Sequence, residues 1–348
     1  MRKSEFNTKI RNYVRDSLSP KEDERSFVSE VYISVQDVLG VSNCLQIGSY
    51  PRFTAITPLH DLDILYILGN LEADLNPSET LDDLQQELKS NYQNPTQYSS
   101  EISRQTHSIT IKFSEGADEV FSVDIVPAYI SGKNEFGDDM YVVPEIVTRS
   151  HSDRRQIEKR VAEGEDMKWI KSDPRGYITT ATEVNATNDD FRKTVKFIKG
   201  WRAGCKDQDD DFALKSFHLE QIITAYFQND PSIEIFDAVF RFFRELPEYI
   251  QAPSIPDRAN PSQNIDEYIE RLTDRQKRWI NLACDYFLIK LENFSEDDDV
   301  SDLLIVRLHE RSKDKHGNTS EEYLFDEDIP IFTETNFSIV GHVLARNG

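Results

Sequence analysis

The chain has 348 residues, which is enough for two compact domains or for one large domain with a deep cleft. Apolar residues make up 38% of it, a share that allows a sizeable core and argues against global disorder. Its formal net charge of −23 repels polyphosphate backbones and argues against a wide surface for long DNA or RNA, although it does not exclude small nucleotides. The sequence contains no run of eighteen apolar residues, so we expect no membrane span.

The cysteines and the N-terminal segment bear on the cellular compartment. Cys44, Cys205 and Cys284 are far apart and lack the spacing of a metal-binding motif, so we expect reduced thiols. The segment from Met1 to Phe6 is charged and lacks the apolar core of a signal peptide. Together these features predict a cytoplasmic protein.

Two helices are expected near the N-terminus, over residues 3–17 and 21–40. Ser19 and Pro20 mark the break between them, and Gly40 is a suitable helix stop. In the second helix four valines recur at helical spacing and predict an apolar stripe that faces a core: Val28, Val31, Val35 and Val38.

Four short apolar runs then predict β-strands. They are Cys44–Ile47, Leu62–Leu68, Ser108–Phe113 and Val120–Val126. Pro127 is expected to end the last of these strands. Between the second and third runs we expect a helix at 79–90 and then a polar loop to residue 100. Strands with preceding helices indicate an α/β or α+β fold for roughly the first half of the chain.

The second half begins with a helical region. Apolar residues recur at helical spacing in four segments: Phe191–Arg202, Phe212–Phe227, Ile233–Leu246 and Asp266–Lys290. The prolines between Pro253 and Pro261 predict a loop before the last helix. Residues 299–348 look different, because their short apolar runs at Leu303–Leu308 and Phe337–Leu344 are separated by polar turns.

The most informative segment runs from Gly48 to Ile64 and reads GSYPRFTAITPLHDLDI. Asp61 and Asp63 stand at the start of a predicted strand, so their carboxylates lie on one face, whereas Leu62 and Ile64 lie on the opposite, core-facing side. Two like charges held together on a buried strand are unfavourable unless a cation lies between them. The spacing therefore predicts a divalent metal site.

Asp124 is a candidate third ligand for this site. Val123 and Ile125 flank it in another apolar strand, so its carboxylate faces away from the packed side. If that strand neighbours the strand of Asp61 and Asp63, the three carboxylates meet at one point. Such a group can hold two Mg²⁺ or Mn²⁺ ions about 3.5–4 Å apart, where one lowers the pKa of an attacking hydroxyl and the other neutralises a leaving pyrophosphate.

Gly48 and Ser49 form a candidate phosphate-binding turn after the first strand. Glycine allows close backbone approach and serine donates a hydroxyl. Neither this pair nor an Asp-x-Asp triplet is specific alone, since such a triplet on a strand edge is more often a solvated turn. The order of the features favours a catalytic site, because Asp61 stands thirteen positions after Gly48 and an apolar-flanked Asp124 follows.

This combination resembles the DNA polymerase β-like nucleotidyltransferase superfamily, whose signature is Gly-Ser, a spacer of about this length, an acidic-apolar-acidic triplet and a later single acid. Within that superfamily, the segment from Gly48 to Ile64 is similar to the bacterial CD-NTases, the relatives of cyclic GMP-AMP synthase and oligoadenylate synthase. Many members have glycine where this chain has Phe53, a departure that affects the turn but no ligand. The resemblance covers roughly residues 5–290.

The resemblance implies three further site residues in the helical half. The segment 191–199 is similar to the family helix whose last lysine contacts the triphosphate, which implies Lys199 as a phosphate ligand. The segment 215–220 is similar to a motif whose serine binds phosphate oxygens and whose next aromatic residue stacks on a base, which implies Ser216 and Phe217. These side chains suit those ligands physically. A solvated helix position for Lys199 and a core position for Phe217 stay open as alternatives.

The resemblance also implies an α+β fold. It consists of a polymerase β-like nucleotidyltransferase core, with a mixed sheet and helices, and a mainly helical second lobe, with the active site in the cleft between them. We accordingly expect a catalytic lobe with the N-terminal helices at 1–187, a helical nucleotide-binding lobe at 188–298, and a C-terminal segment of unknown role at 299–348.

The activity implied by the resemblance is template-independent. CD-NTases join ATP and other NTPs into cyclic or short linear oligonucleotide second messengers, which switch on an effector protein in antiphage defence (CBASS). Two Mg²⁺ or Mn²⁺ ions are the expected cofactors, and an effector and a regulatory protein are the expected partners. No membrane and no extensive nucleic-acid surface are expected. The sequence leaves open the bases, linkage and ring closure of the product, the activating signal and the oligomeric state.

Two other functions compete with this interpretation. RNA 3′-end nucleotide addition, as in tRNA-maturing and poly(A) enzymes, uses the same three acids, but the net charge of −23 weighs against the basic groove that an RNA tail needs. A catalytically inactive nucleotide-binding scaffold is disfavoured because Asp61, Asp63 and Asp124 are all present.

Overall fold

The structure is a computed structural model, and it describes residues 2–146, 167–306, 309–313 and 319–323. Internal contacts divide the chain into two compact units. The sheet unit comprises Pro20–Glu183 and Asp257–Ser262, and the helical unit comprises Met1–Ser19, Val184–Pro256 and Gln263–Gly348. The predicted combination of a mixed sheet with helices and a mainly helical second part is confirmed. The finer boundaries expected at residues 187 and 298 stay predictions.

The sheet unit is built on seven strands. They are β1 (Cys44–Ile47), β2 (Asp61–Asn70), β3 (Ser99–Arg104), β4 (Ile109–Glu115), β5 (Asp118–Lys133), β6 (Asp139–Ile146) and β7 (Met167–Ser172). The strand order is β1-β2-β5-β4-β3, and β6 pairs with the far end of β5 and with β7. The β2–β5 pair is parallel and every other neighbouring pair is antiparallel, which makes the sheet mixed.

Among the described residues, the helices of the sheet unit are α2 (Glu22–Leu39), α3 (Pro77–Asn91) and the larger part of α4 (Pro174–Thr187), whose last turn lies beyond the unit boundary at Glu183. The predicted valine stripe of α2 is confirmed, since three of its members are fully buried and Val38 packs against the same core. The helix α3 starts as its sequence indicates, because Asn76 Oδ1 accepts the Ser78 N–H at 2.9 Å and Pro77 occupies the first turn.

The strand β5 corrects one prediction. Pro127 was expected to end it, but the strand continues to Lys133. The β4 partner ends opposite Ile125 and the β6 partner begins opposite Tyr129, so Pro127 lies in a gap between two partners on that side while β2 pairs on the other. A residue without an N–H is tolerated where the ladder is interrupted. The strands β3, β6 and β7 and the helix α4 were also not predicted.

The helical unit contains α1 (Lys3–Tyr13), α5 (Asp190–Gln208), α6 (Ser216–Asn229), α7 (Ile235–Tyr249), α8 (Asp274–Asn293) and α9 (Val300–Leu304). Its core is aromatic: Trp201 lies edge-on to Phe243 at 4.8 Å, and Phe243 stacks on Phe287 at 3.7 Å between ring centroids. A chain with such large buried rings gains much of its stability from apolar burial.

Two predicted helices of this unit start later than their apolar pattern suggested. The helix expected from Phe212 begins at Ser216, because the buried Phe212 and Leu214 belong to the connection before it. The helix expected from Asp266 begins at Asp274, where Thr273 accepts the Gln276 N–H as a capping box. Apolar periodicity alone does not distinguish a buried connection from a first helical turn.

The C-terminal strands β8 (His309–Lys313) and β9 (Thr319–Tyr323) pair antiparallel. The apolar run expected at 337–344 lies outside the described residues. None of the helices in the described part of the chain combines the length and apolar character that crossing a membrane requires.

Candidate active site

The parallel pairing of β2 and β5 brings the predicted carboxylates together. Asp63 lies directly opposite Asp124, and Asp61 lies opposite Ser122, in the register of the two strands. Leu62 and Ile64 are 1% and 0% exposed on the other face, as their alternation indicated. Asp61 is exposed at the strand start, whereas Asp63 and Asp124 are half-buried. The backbone therefore places all three acids on neighbouring positions of one sheet face.

Gly48 closes over this group from the end of β1. Its φ of +74° lies in the left-handed region, and a Cβ built at this position would come within 2.0 Å of Asp63 Oδ2. Ile47, the preceding residue, is the register partner of Asp63. Glycine is therefore required for two independent reasons, conformation and space. The predicted turn of Gly48 and Ser49 thus lies against the Asp63 carboxylate.

The electrostatics of Asp63 reflect its crowded position. The pKa of its carboxyl group is raised from 3.8 to about 7, mainly by burial and also by the negative charges of Asp61 and Asp124. The positive charge of Arg52 acts in the opposite direction and lowers this pKa. A carboxylate so placed is stabilised by any added positive charge. Arg52 was not predicted as a site residue, yet its side chain is buried and its charge acts on Asp63.

Asp124 is oriented by hydroxyl groups of β4. Thr110 is its antiparallel register partner and donates its hydroxyl to Asp124 Oδ1. Ser108 donates to the same oxygen at 3.5 Å. Hydrogen bonds of this kind fix the direction of a ligating carboxylate. Neither hydroxyl was predicted as part of the site, because the pairing of β4 with β5 cannot be read from either strand alone.

The three carboxylates suit divalent cations, both by their chemistry and because the strand register places them on neighbouring positions. Hard cations such as Mg²⁺ and Mn²⁺ take carboxylate oxygens, and Asp63 interacts electrostatically with both other acids. Within the described ranges, no three His, Cys, Asp or Glu side chains form a preformed metal-binding group.

The turn after Gly48 contains a residue in an unusual backbone conformation. The Ser49 carbonyl accepts the Thr54 N–H at 3.0 Å, which closes the turn. Phe53 has a φ of +59° and its side chain is 65% exposed. A left-handed conformation is unfavourable for a residue with a Cβ. Phe53 therefore holds a backbone conformation that glycine adopts without this strain.

The three site residues implied for the helical half lie on two packed helices. Lys199, on α5, is buried, and its Nζ lies 2.9 Å from Glu220 Oε2 on α6. Ser216 is the first residue of α6, and Phe217, the second, is half-buried. Lys199 is therefore not a solvated helix lysine, which was the alternative to a ligand role. The phosphate and base contacts of these residues stay predictions.

The first turn of α6 is held by side chains that the sequence analysis did not single out. Arg202 Nε donates to the Leu214 carbonyl, and the Tyr268 hydroxyl accepts the Lys215 N–H at 3.1 Å. Tyr268 also lies 2.9 Å from Nδ1 of the buried His218. These contacts fix the position of Ser216 by constraining the chain on both sides of it. Glu220 was not singled out either, and its only sequence signal is that it follows Ser216 by four residues, which is one turn of the helix.

Comparisons with known proteins agree with this geometry. No protein-family model matches the sequence. A probable cyclic nucleotide synthase of Bacillus cereus (strain VD146) is 27% identical over 208 residues, which are 52% of this chain and 55% of that protein. The cyclic AMP-AMP-AMP synthase of Escherichia coli (strain MS 115-1) is 25% identical over 224 residues, which are 64% of this chain and 59% of that protein. The chain resembles the CD-NTases.

Solved structures extend the similarity to the fold. CdnC of E. coli MS115-1, determined with ATP, superposes with a TM-score of 0.59 and 19% identity over 86% of this chain and 94% of that one. CdnC in complex with HORMA-deltaN superposes with a TM-score of 0.58 and 18% identity over the same shares. The CD-NTase fold is therefore shared, whereas the chain spans less than two thirds of the length of its curated relatives by sequence.

Proposed function

We propose that this chain joins nucleoside triphosphates, without a template, into a cyclic or short linear oligonucleotide second messenger. The observation that carries the proposal is the register of Asp63 opposite Asp124 with Gly48 against the Asp63 carboxylate. An acidic pair on adjacent strands beneath a glycine turn suits metal-assisted phosphoryl transfer. The similarity to two curated cyclic nucleotide synthases supports the same reaction class.

The roles proposed for the sheet unit follow from its chemistry. Asp61, Asp63 and Asp124 would hold two Mg²⁺ or Mn²⁺ ions, which lower the pKa of an attacking hydroxyl and neutralise a leaving pyrophosphate when bound. Gly48 and Ser49 would approach the phosphates through their backbone and hydroxyl groups. Thr110 and Ser108 keep Asp124 Oδ1 pointed in a fixed direction, so that its carboxylate need not reorganise during the reaction.

The reaction proposed is an in-line displacement. A 2′- or 3′-hydroxyl of one nucleotide forms a bond to the α-phosphorus of another, and the bond from that phosphorus to the pyrophosphate oxygen breaks. The carboxylate of Asp124 would accept the hydroxyl proton. In the helical unit, Lys199 and Ser216 would bind the triphosphate, and Phe217 would stack on a base. The product would then act on an effector protein in antiphage defence.

A regulatory protein partner is part of the proposal. The CdnC relative has been solved in complex with HORMA-deltaN, and that complex is a property of CdnC. The similarity of fold supports a protein regulator for this chain as well, and the proposal does not specify which protein that is. ATP is the nucleotide present in the other CdnC structure, and it is our first choice of substrate.

The alternative function, nucleotide addition to RNA 3′ ends, receives less support. The net charge of −23 disfavours a groove that tracks an RNA backbone. Both curated relatives carry names of cyclic nucleotide synthases.

The test is product analysis with nuclease-treated protein. The protein is incubated with each pair of the four common NTPs and Mg²⁺ or Mn²⁺, and products are identified by mass spectrometry. We expect a short cyclic or linear oligonucleotide, and we expect Asp61→Asn and Asp63→Asn to abolish it while they leave the fold intact. Product that appears only as an extension of added RNA favours the alternative, and robust activity in the doubly substituted protein overturns the assignment of the acids.

A further inference from the structure

A buried ion pair in the helical unit joins a proposed phosphate ligand to a residue without an assigned role. The side chains of Lys199 and Glu220 are 7% and 1% exposed, and their charged atoms lie 2.9 Å apart. A single unpaired charge at such a buried position is strongly unfavourable. The position and charge of each side chain therefore depend on the other.

The pair is linked to Ser216 by helix geometry. Glu220 follows Ser216 by one turn of α6, and residues four apart share a helix face. The helices α5 and α6 pack against each other, so Glu220 fixes Lys199 to the α6 face that carries Ser216. An ammonium has three N–H donors, so its contact with Glu220 is compatible with contacts to phosphate oxygens.

The charge of Glu220 also acts on a second cation of α5. Arg192 precedes Lys199 by about two helical turns. Burial lowers the pKa of Arg192, and the charge of Glu220 raises it. Glu220 thus stabilises positive charge on α5 at more than one position.

A purely structural role explains this pair poorly. Apolar side chains of similar volume generally stabilise a helix interface as well as a buried ion pair does, or better. A buried charged pair beside a proposed phosphate site is more simply explained if phosphate binding requires the lysine ammonium. A cation held in place before binding also avoids the entropy loss of ordering a flexible lysine.

We infer that Glu220 is a positioning residue for Lys199, which it holds charged and ordered so that the triphosphate of a nucleotide meets a preformed cation. This inference rests on the proposed function, because it takes Lys199 to be a triphosphate ligand. The ligand that Lys199 would bind is a nucleoside triphosphate, which it would recognise through the phosphates rather than the base. In this role Glu220 acts through Lys199 rather than on the nucleotide itself.

The test compares Glu220→Gln with Asp190→Asn as a matched control. Asp190 is also on α5, its side chain is 6% exposed, and it pairs with Arg11 at 2.6 Å. With ATP and Mg²⁺, measured by pyrophosphate release, Glu220→Gln should raise KM about ten- to hundred-fold and change kcat by less than about three-fold. Asp190→Asn should lower the Tm but leave KM unchanged.

Two further variants separate positioning from packing. Glu220→Asp keeps the charge on a shorter side chain, so its KM should lie between those of the wild type and Glu220→Gln. The double variant Lys199→Met with Glu220→Met replaces the pair by apolar side chains of similar length. It should keep a Tm near that of the wild type and show a KM as high as Lys199→Ala.

The outcomes distinguish the inference from the proposed function. A lower Tm with unchanged KM in Glu220→Gln, or in Glu220→Asp if the glutamine variant does not fold, overturns the positioning role. If Lys199→Ala leaves KM unchanged while oligonucleotides still form, the assignment of Lys199 fails and the proposed activity stands. If the wild-type chain forms no oligonucleotide, the proposed function fails.

Discussion

Gly48 and Asp63 are in direct contact, since a Cβ at Gly48 would come within 2.0 Å of Asp63 Oδ2. The turn proposed to bind phosphate and the acid proposed to bind metal are therefore one structural element, joined by the β1–β2 pairing of Ile47 with Asp63. Any side chain at position 48 must displace the carboxylate or the turn.

The first prediction is that Gly48→Ala removes activity. The displacement of Asp63 by about an ångström should lower kcat/KM by at least ~100-fold. Gly116→Ala is the matched control, because Gly116 also has a positive φ, +64°, but nothing lies within 4 Å of its Cβ position. The Gly116→Ala substitution should lower the free energy of unfolding by only about 1–2 kcal/mol, and the folded variant should keep full activity. Equal activity in the two variants contradicts the role of the contact.

The second prediction concerns the stability of the metal-free protein as a function of pH. The pKa of Asp63 is raised in the folded state from 3.8 to about 7, so the folded state binds this proton more tightly than the unfolded state. Its contribution to the free energy of unfolding is present at low pH and is lost as the pH rises through this interval. The loss should be of the order of a few kcal/mol.

Denaturant titrations with EDTA across this pH range measure the effect. Asp63→Asn should remove the decline, because an amide does not ionise, and the exposed Asp83→Asn should retain it. Mg²⁺ added at the upper end of the range should restore stability to the wild type. A decline of equal size in Asp63→Asn assigns the pH dependence to other groups.

The third prediction is that the Thr110 hydroxyl orients Asp124. Thr110→Val keeps the β-branched shape of the strand residue but removes the donor to Asp124 Oδ1. We expect kcat to fall about ten-fold, or the Mg²⁺ concentration for half-maximal rate to rise by a similar factor. Thr110→Ser restores a hydroxyl and should recover most of the rate. If the serine and valine variants are equally impaired, packing rather than the hydrogen bond is responsible.

The fourth prediction is that Phe53→Gly stabilises the protein. Phe53 has a φ of +59° and a largely exposed side chain, so glycine relieves backbone strain and loses little apolar burial. The gain should be roughly 0.5–1 kcal/mol after the larger entropy of the unfolded glycine variant is subtracted. Asp74, at a φ of +68°, is the comparison residue.

Aspartate tolerates the left-handed region better than phenylalanine, so Asp74→Gly should change the free energy of unfolding by less than Phe53→Gly. Chemical denaturation of both variants checks this difference. A destabilised Phe53→Gly would show that the aromatic ring contributes more to the fold than its conformation costs.

The sequence by itself determined the face on which each acid lies. Alternation of Asp61, Leu62, Asp63 and Ile64 fixes which side chains enter the core, because successive residues of a strand point to opposite sides. Helical periodicity likewise located α2 and the helices of the second half, since burial of one face is a local property of a sequence. The glycine at position 48 was also recognisable from its place in the motif.

Only the tertiary structure decided which faces meet. The alignment of Asp63 with Asp124 depends on the register of two strands that are distant in the sequence, which no local pattern encodes. The continuation of β5 through Pro127 depends on where its neighbours stop. The pairing of Lys199 with Glu220 depends on how two helices pack, because a buried charge is stabilised by whichever partner the fold brings within reach.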